Sequence, residues 1–231
     1  MAVLQGGAAD TRRPSAMPDE GAIVFIVDDD ERVCEALCDL LATRHLESAA
    51  FNSILEYLAF PRPDVPSCLI LDVKLPDIGG LEFQEQIRDE DHPPIVFITG
   101  HGNIPSSVRA IKDGAVDFLT KPFSDSDLLQ SIDTALDRDR VARRERGELA
   151  RLAQLLSSLT LREREVLPLV VSGLLNKQAA AILGISEVTL QIHRSRIMQK
   201  MKADSLPDLV RMADRLQIPV TYSRRGHGDS A

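Results

Sequence analysis

Apolar residues in the first part of the chain fall into short continuous runs separated by stretches with helical spacing. Ile23–Val27, Cys68–Leu71 and Ile95–Thr99 are apolar at nearly every position. Strands with this pattern are buried on both faces, as in a parallel sheet covered by helices. Between them, Glu31–His45 sets Val33, Leu37, Leu40 and Leu41 at helical spacing. A weaker strand is predicted over Ser48–Phe51, and helices over Ser53–Ala59, Leu81–Arg88 and Ile104–Lys112. Val116–Thr120 reads as a short last strand, and Asp125–Asp137 as the start of a last helix. Five strands alternating with helices predict an α/β fold with a doubly wound parallel sheet. Ligands of such sheets gather at the carboxyl ends of the strands.

The pattern changes after about residue 157, where no strand is predicted. Thr160 and Glu163 fit a capping box in front of a helix over Leu161–Ser172, which Gly173 ends. Asn176–Leu183 is a short helix broken by Gly184, Ser186–Lys202 a longer one, and Ser205–Leu216 a fourth. Two helices parted by Gly184-Ile185-Ser186 carry the signature of a helix-turn-helix. On Ser186–Lys202, spacing assigns Val188, Ile192, Met198 and Met201 to the inward face.

Charge separates the same two halves. Positions 21–139 hold 9 Lys and Arg against 23 Asp and Glu, a net of −14. Positions 140–156 hold 5 against 2, and 157–217 hold 9 against 6, a net of +3 each. The acidic half repels nucleic acid and the basic half can approach it. The boundaries predicted are a flexible tail over 1–20, an acidic domain over 21–139, a linker over 140–156, a helical domain over 157–217 and a tail over 218–231. The linker has no Pro, which favours a charged helix over a solvated loop. No apolar run is long enough to span a membrane, and the first residues lack a secretory signal, so a cytoplasmic protein is expected. The three cysteines, Cys34, Cys38 and Cys68, read as small reduced core residues.

Asp28, Asp29 and Asp72 are predicted at the carboxyl ends of neighbouring strands, with Thr99 and Lys121 ending or following two more. Adjacent carboxylates resist ionisation together unless cations compensate. Mg²⁺, which takes oxygen ligands and retains waters, is the natural candidate. A carboxylate nucleophile, a divalent ion, a Lys and a hydroxyl form a set suited to phosphoryl transfer. Asp30 reads as the N-cap of the helix that follows.

The runs "IVDDDE", "LILDVKLPDIGG", "VFITGHG" and "GAVDFLTKPF" together resemble the receiver domain of response regulators, over about 21–140. The resemblance implies a flavodoxin-like fold and a phosphoacceptor at Asp72. It implies that Asp28, Asp29, Asp72 and the Lys74 backbone carbonyl hold Mg²⁺, and that Thr99 and Lys121 contact the phosphoryl oxygens. It makes Thr99 and Phe118 switch residues, although Phe118 also reads as core filler. It further implies a cis Lys121-Pro122 peptide. Gly79 departs from the family, which usually has Asp, Ser or Asn there.

The segment over about 157–215, from "LTLREREVL" through "VTLQIHRSRIMQKM", resembles the LuxR-type helix-turn-helix, so the whole chain resembles the FixJ/NarL class of two-component regulators. By resemblance, Gln191, Ile192, His193 and Ser195 meet DNA bases. Independently, Gln can read adenine and Arg194 guanine, while Lys177, Arg196 and Lys200 suit phosphates. The class implies a sensor histidine kinase as phosphoryl donor, promoter DNA, a homodimer when phosphorylated, RNA polymerase as a further partner, and no enzymatic turnover of its own. Three other readings fit parts of the sequence. An aspartate-nucleophile phosphohydrolase would use Asp28 and Asp30, but the chain has no cap insertion. A phosphorylation-independent adaptor sits badly with the intact acidic set. A sigma-factor fragment would match "LREREVL" alone.

Overall fold

The computed structural model describes residues 21–88, 90–100 and 104–219. The tail over 1–20, the His101-Gly102 segment after the third clear strand, and most of the C-terminal tail lie outside the described residues. The chain divides between 142 and 143 into two compact units, each described by itself.

The first unit contains β1 (Ile23–Val27), α1 (Glu31–Thr43), β2 (Glu47–Phe51), α2 (Ile54–Ala59), β3 (Ser67–Asp72), α3 (Gly80–Gln86), β4 (Ile95–Thr99), α4 (Ile104–Lys112), β5 (Asp117–Thr120) and the start of α5 (Asp125–Ser157). The strands form one parallel sheet in the order β2-β1-β3-β4-β5. Every residue of β1, β3 and β4 is buried, which is why their sequences show no polar alternation. Alternate side chains feed two cores. Val24, Ile26, Cys68, Ile70, Val96 and Ile98 meet Leu37 and Leu41 of α1 and Leu128 and Ile132 of α5. Phe25, Leu69, Leu71, Ile95 and Phe97 meet Ile54, Tyr57, Phe83 and Ala110 on the other face. β2, an edge strand of mixed burial, is the strand whose sequence signal was weakest.

Local chemistry sets the helix starts. Asp30 caps α1 by accepting from the Arg32 N–H, and Ser53 caps α2 by accepting from the Glu56 N–H. At the opposite end of the sheet from the acidic residues, buried Asp139 of α5 accepts from the buried Ser67 N–H at 2.8 Å. This bond satisfies the first donor of β3 and ties the helix to the sheet. The segment 140–156 lies within α5 and is helical throughout.

The second unit takes the rest of α5, then α6 (Leu161–Val171), α7 (Asn176–Leu183), α8 (Glu187–Met201) and α9 (Leu206–Arg215) around one core. Thr160 and Glu163 form the capping box of α6. Gly184 ends α7 at φ 63°, a left-handed geometry that glycine adopts without a Cβ penalty. Ser186 caps α8 by accepting from the Thr189 N–H.

The inward face of α8 matches expectation at Met201 and in part at Met198, but not at Val188 and Ile192. Leu190, Ile197 and Met201 are fully buried, while Val188 is 68% exposed and Ile192 47% exposed. Met198 packs against the core only in part. Leu190, Ile197 and Met201 lie close to one line on a helix of 3.6 residues per turn, and Val188 lies on the far side. With Leu, Val and Ile spread round the helix, spacing alone allowed either phase.

Candidate phosphoryl-transfer site and nucleic-acid interface

The parallel register sets Val27 beside Leu71, so the residues that follow, Asp28 and Asp72, emerge side by side at the carboxyl edge. Both are buried, Asp28 at 1% exposure and Asp72 at 5%. Lys121, directly after β5, reaches across to both. Its Nζ donates to Asp28 Oδ2 at 2.5 Å and to Asp72 Oδ1 at 3.0 Å. The other Asp72 oxygen accepts from the Lys74 N–H at 2.6 Å, and Asp28 Oδ1 accepts from the Asp30 N–H at 3.0 Å. The Lys121-Pro122 peptide is cis.

Two carboxylates share one ammonium, so the cluster retains one negative charge. Burial lifts Asp72 above the usual carboxylate range, with the charge of Asp28 adding to it. The hydrogen bonds from Lys121 and the Lys74 N–H offset this only in part. Burial alone would lower Lys121, but its bonds to Asp28 and Asp72 outweigh it and hold the ammonium above its ordinary value. An uncompensated charge with the exposed Asp29 carboxylate next along the chain is a setting that attracts a further cation.

The other expected residues gather less tightly. Asp29 is exposed at the rim. Among the described residues, no three His, Cys, Asp or Glu side chains converge as a metal-binding group. The donors present still fit Mg²⁺, which commonly takes one or two carboxylates and fills the rest of its octahedron with water. Thr99 ends β4, 1% exposed, and its carbonyl accepts from the Lys121 N–H at 2.7 Å. Phe118 is partly buried, its ring centroid 6.0 Å from that of Phe97. Cys34 packs beneath the cluster, its thiol donating to the Asp28 carbonyl at 3.5 Å. Burial, then the nearby Asp28 charge, pushes that thiol up to about 11, so it stays protonated.

Gly80 was not singled out from the sequence. A Cβ there would stand 2.3 Å from the Asp72 carbonyl oxygen and 3.2 Å from both Leu71 Cγ and Phe97 Cε1. The loop after Asp72 folds back so closely that only glycine fits. At Gly79 the nearest atom to such a Cβ is the Val73 carbonyl oxygen, at 3.8 Å. The "GG" pair was the available signal, but nothing in the sequence says which glycine is crowded.

In the second unit, Gln191, Ile192, Ser195 and Arg196 are exposed on α8, and Lys177 is exposed on α7. Arg194 instead donates to Asn176 Oδ1 at 3.2 Å, linking α8 to the start of α7. His193 is half-buried, its Nδ1 enclosed without a hydrogen-bond partner. Lys200, expected to face phosphate, donates to the buried Glu163 at 2.6 Å. The sequence hid this pairing because Glu163 already had a role in the capping box.

Comparison with known proteins converges on the same two parts. Residues 24–133 match the family described as response regulator receiver domain, and 157–213 match that described as bacterial regulatory proteins, luxR family. Nodulation protein W of Bradyrhizobium diazoefficiens is 47% identical over 205 residues, covering 88% of this chain and 90% of that protein. Response regulator protein TodT of Pseudomonas putida is 43% identical over 205 residues, covering 87% and 89%. The low-resolution structure of response regulator StyR superposes with a TM-score of 0.75 at 45% identity, covering 84% of this chain and 99% of that one. Among the described residues, no helix is long and apolar enough to cross a membrane. With both family matches in order along one chain, the protein belongs to the response regulators that join a receiver domain to a LuxR-type DNA-binding domain.

Proposed function

We propose that Asp72 is the phosphoacceptor and that its phosphorylation controls DNA binding by α8. The observation that carries this is the convergence of buried Asp72 and Asp28 on the Lys121 ammonium at the carboxyl edge of the sheet. In this reading a carboxylate oxygen of Asp72 attacks phosphorus, and the bond from phosphorus to a sensor histidine kinase's imidazole breaks, leaving an acyl phosphate. Asp28, Asp29, Asp72 and the Lys74 carbonyl would hold Mg²⁺, which when bound neutralises charge on the transferring group. Lys121 leaves its bridge to pair with a phosphoryl oxygen, and the Thr99 hydroxyl pairs with another. Phe118, packed on Phe97, responds to Thr99 and relays the change to α4 and β5.

The chain accepts a phosphoryl group rather than turning over a substrate, and it works in the cytoplasm. The working divisions are a tail over 1–20, a receiver over 21–139, a linker over 140–156, a DNA-binding domain over 157–217 and a tail over 218–231. Lys177 and Arg196 contact phosphates, and Gln191, Ile192, His193 and Ser195 face bases, with Arg194 held close behind them. Lys200 serves DNA only indirectly, through Glu163. A net charge of +3 on 157–217 is modest for a DNA binder. Phosphorylation therefore acts by pairing two copies on two half-sites of a promoter, where RNA polymerase is recruited.

The test is intact-protein mass after incubation with acetyl phosphate, with and without Mg²⁺, beside Asp72→Asn. One phosphoryl adduct is expected on the natural chain with Mg²⁺ only, and none on the variant. An adduct that persists in Asp72→Asn would refute the assignment.

A further inference from the structure

The outward face of α8 carries a chemistry that narrows which DNA this chain can read. At about 100° per residue, Val188, Ile192, Ser195 and Gln199 fall in a strip roughly 60° wide. It lies opposite the buried Leu190, Ile197 and Met201. All four residues of the strip are exposed, and none is charged. That is unusual for the solvent face of a surface helix, where charged side chains are normally found. Gln191 borders the strip on one side and Arg196 on the other, while Arg194 is turned away to Asn176. The strip therefore combines two branched apolar groups with amide and hydroxyl groups.

In the major groove the thymine C5-methyl is the apolar feature of a base pair, and adenine is the base that pairs bidentately with Gln. Both belong to A·T pairs. Guanine is read chiefly by Arg or Lys; the strip itself holds neither, and Arg196 on its border is the phosphate contact of the proposed function. We infer that α8 selects A·T pairs, with Val188 and Ile192 packing on thymine methyls and Gln191 taking an adjacent adenine. This rests on the reading that α8 enters the major groove. Val188 and Ile192 are one turn apart, about 6 Å along the helix, so the two methyls lie within roughly two base-pair steps.

The experiment starts with in-vitro selection of random duplexes by the phosphorylated full-length chain at fixed salt. Uracil then replaces thymine, position by position, in the selected half-site. Uracil removes only the methyl and leaves every hydrogen-bonding group in place. Half-sites with A·T pairs at the contacted positions are expected, with binding about fourfold weaker for each contacted methyl lost. Val188→Ala with Ile192→Ala, both at exposed positions, is expected to keep its circular dichroism and bind the thymine site more weakly. It should no longer distinguish thymine from uracil. Equal binding to uracil and thymine duplexes by the natural chain overturns the inference while leaving DNA recognition intact. Unchanged DNA binding by the double variant with an altered oligomeric state overturns it in favour of a protein-facing strip. Selection that yields no preferred sequence overturns both the inference and the reading beneath it.

Discussion

Replacing Glu163 with Gln isolates the contribution of one buried charge to the DNA-binding domain. Glu163 is 1% exposed, and one of its oxygens takes both the Thr160 N–H at 2.8 Å and the Lys200 ammonium at 2.6 Å. Burial raises its pKa, but the bonds from Lys200 and from the Thr160 N–H and hydroxyl outweigh it and bring it from 4.5 to about 2. That depression corresponds to about 3 kcal/mol of stability at neutral pH. Lys200 is one-third exposed, and solvent screening reduces the expected figure to about 2 kcal/mol. Because the folded-state pKa is the lower one, this stability is full above about 4.5 and is lost as pH falls toward about 2. Glu163→Gln keeps the size and an acceptor for the Thr160 N–H, so it removes the charge while sparing the cap. Urea titrations of the full chain, read by hydrogen exchange on peptides from 157–217, give the stability of this domain separately from the receiver. The variant should be weaker by about 2 kcal/mol at pH 7, with the gap closing as pH approaches 2. A gap absent at pH 7, or constant from pH 7 to pH 3, would refute the reasoning.

Two further substitutions test the frame around Asp72. Gly80→Ala should destabilise the receiver by about 3 kcal/mol and reduce acetyl phosphate labelling of Asp72, because its Cβ meets the Asp72 carbonyl. Gly79→Ser should change stability by no more than about 0.5 kcal/mol and leave labelling intact, since that site is open and already caps α3 with extended backbone. Urea midpoints and adduct mass check both, and equal behaviour of the two variants would contradict the crowding at Gly80. Asp139→Ala should cost about 2 kcal/mol by stranding the buried Ser67 N–H, with Asp139→Asn recovering most of it. Thermal unfolding of the three proteins is the measurement, and an unaffected alanine variant would show that the Ser67 donor finds another acceptor.

The receiver was legible because its sequence signals repeat one another. Apolar strands end in the acidic residues, and parallel pairing then leaves little freedom about where Asp28 and Asp72 emerge. The strand-helix order, the caps at Asp30 and Thr160, and the turn at Gly184 depend on neighbours within four positions, so they could be read locally. Distant contacts outside the strand-end set could not. The tie from Asp139 to Ser67 spans 72 positions, and that from Lys200 to Glu163 spans 37. The contact between Gly80 and the Asp72 carbonyl depends on the path of a loop rather than on its composition.

The misjudged phase of α8 has a physical cause that bears on function. Sequence patterning assumes that apolar residues go inward, and it holds where the only alternative is water. On a helix that carries base-reading groups, a second apolar destination exists in the thymine methyl. Val188 at 68% exposure is a poor core residue and a reasonable contact for such a methyl. Leu190, Ile197 and Met201 already fill the inward side, so the domain gives up no packing by leaving Val188 and Ile192 outside. On the inference drawn above, the position where the apolar pattern misled is the one where the helix would meet a thymine methyl rather than solvent.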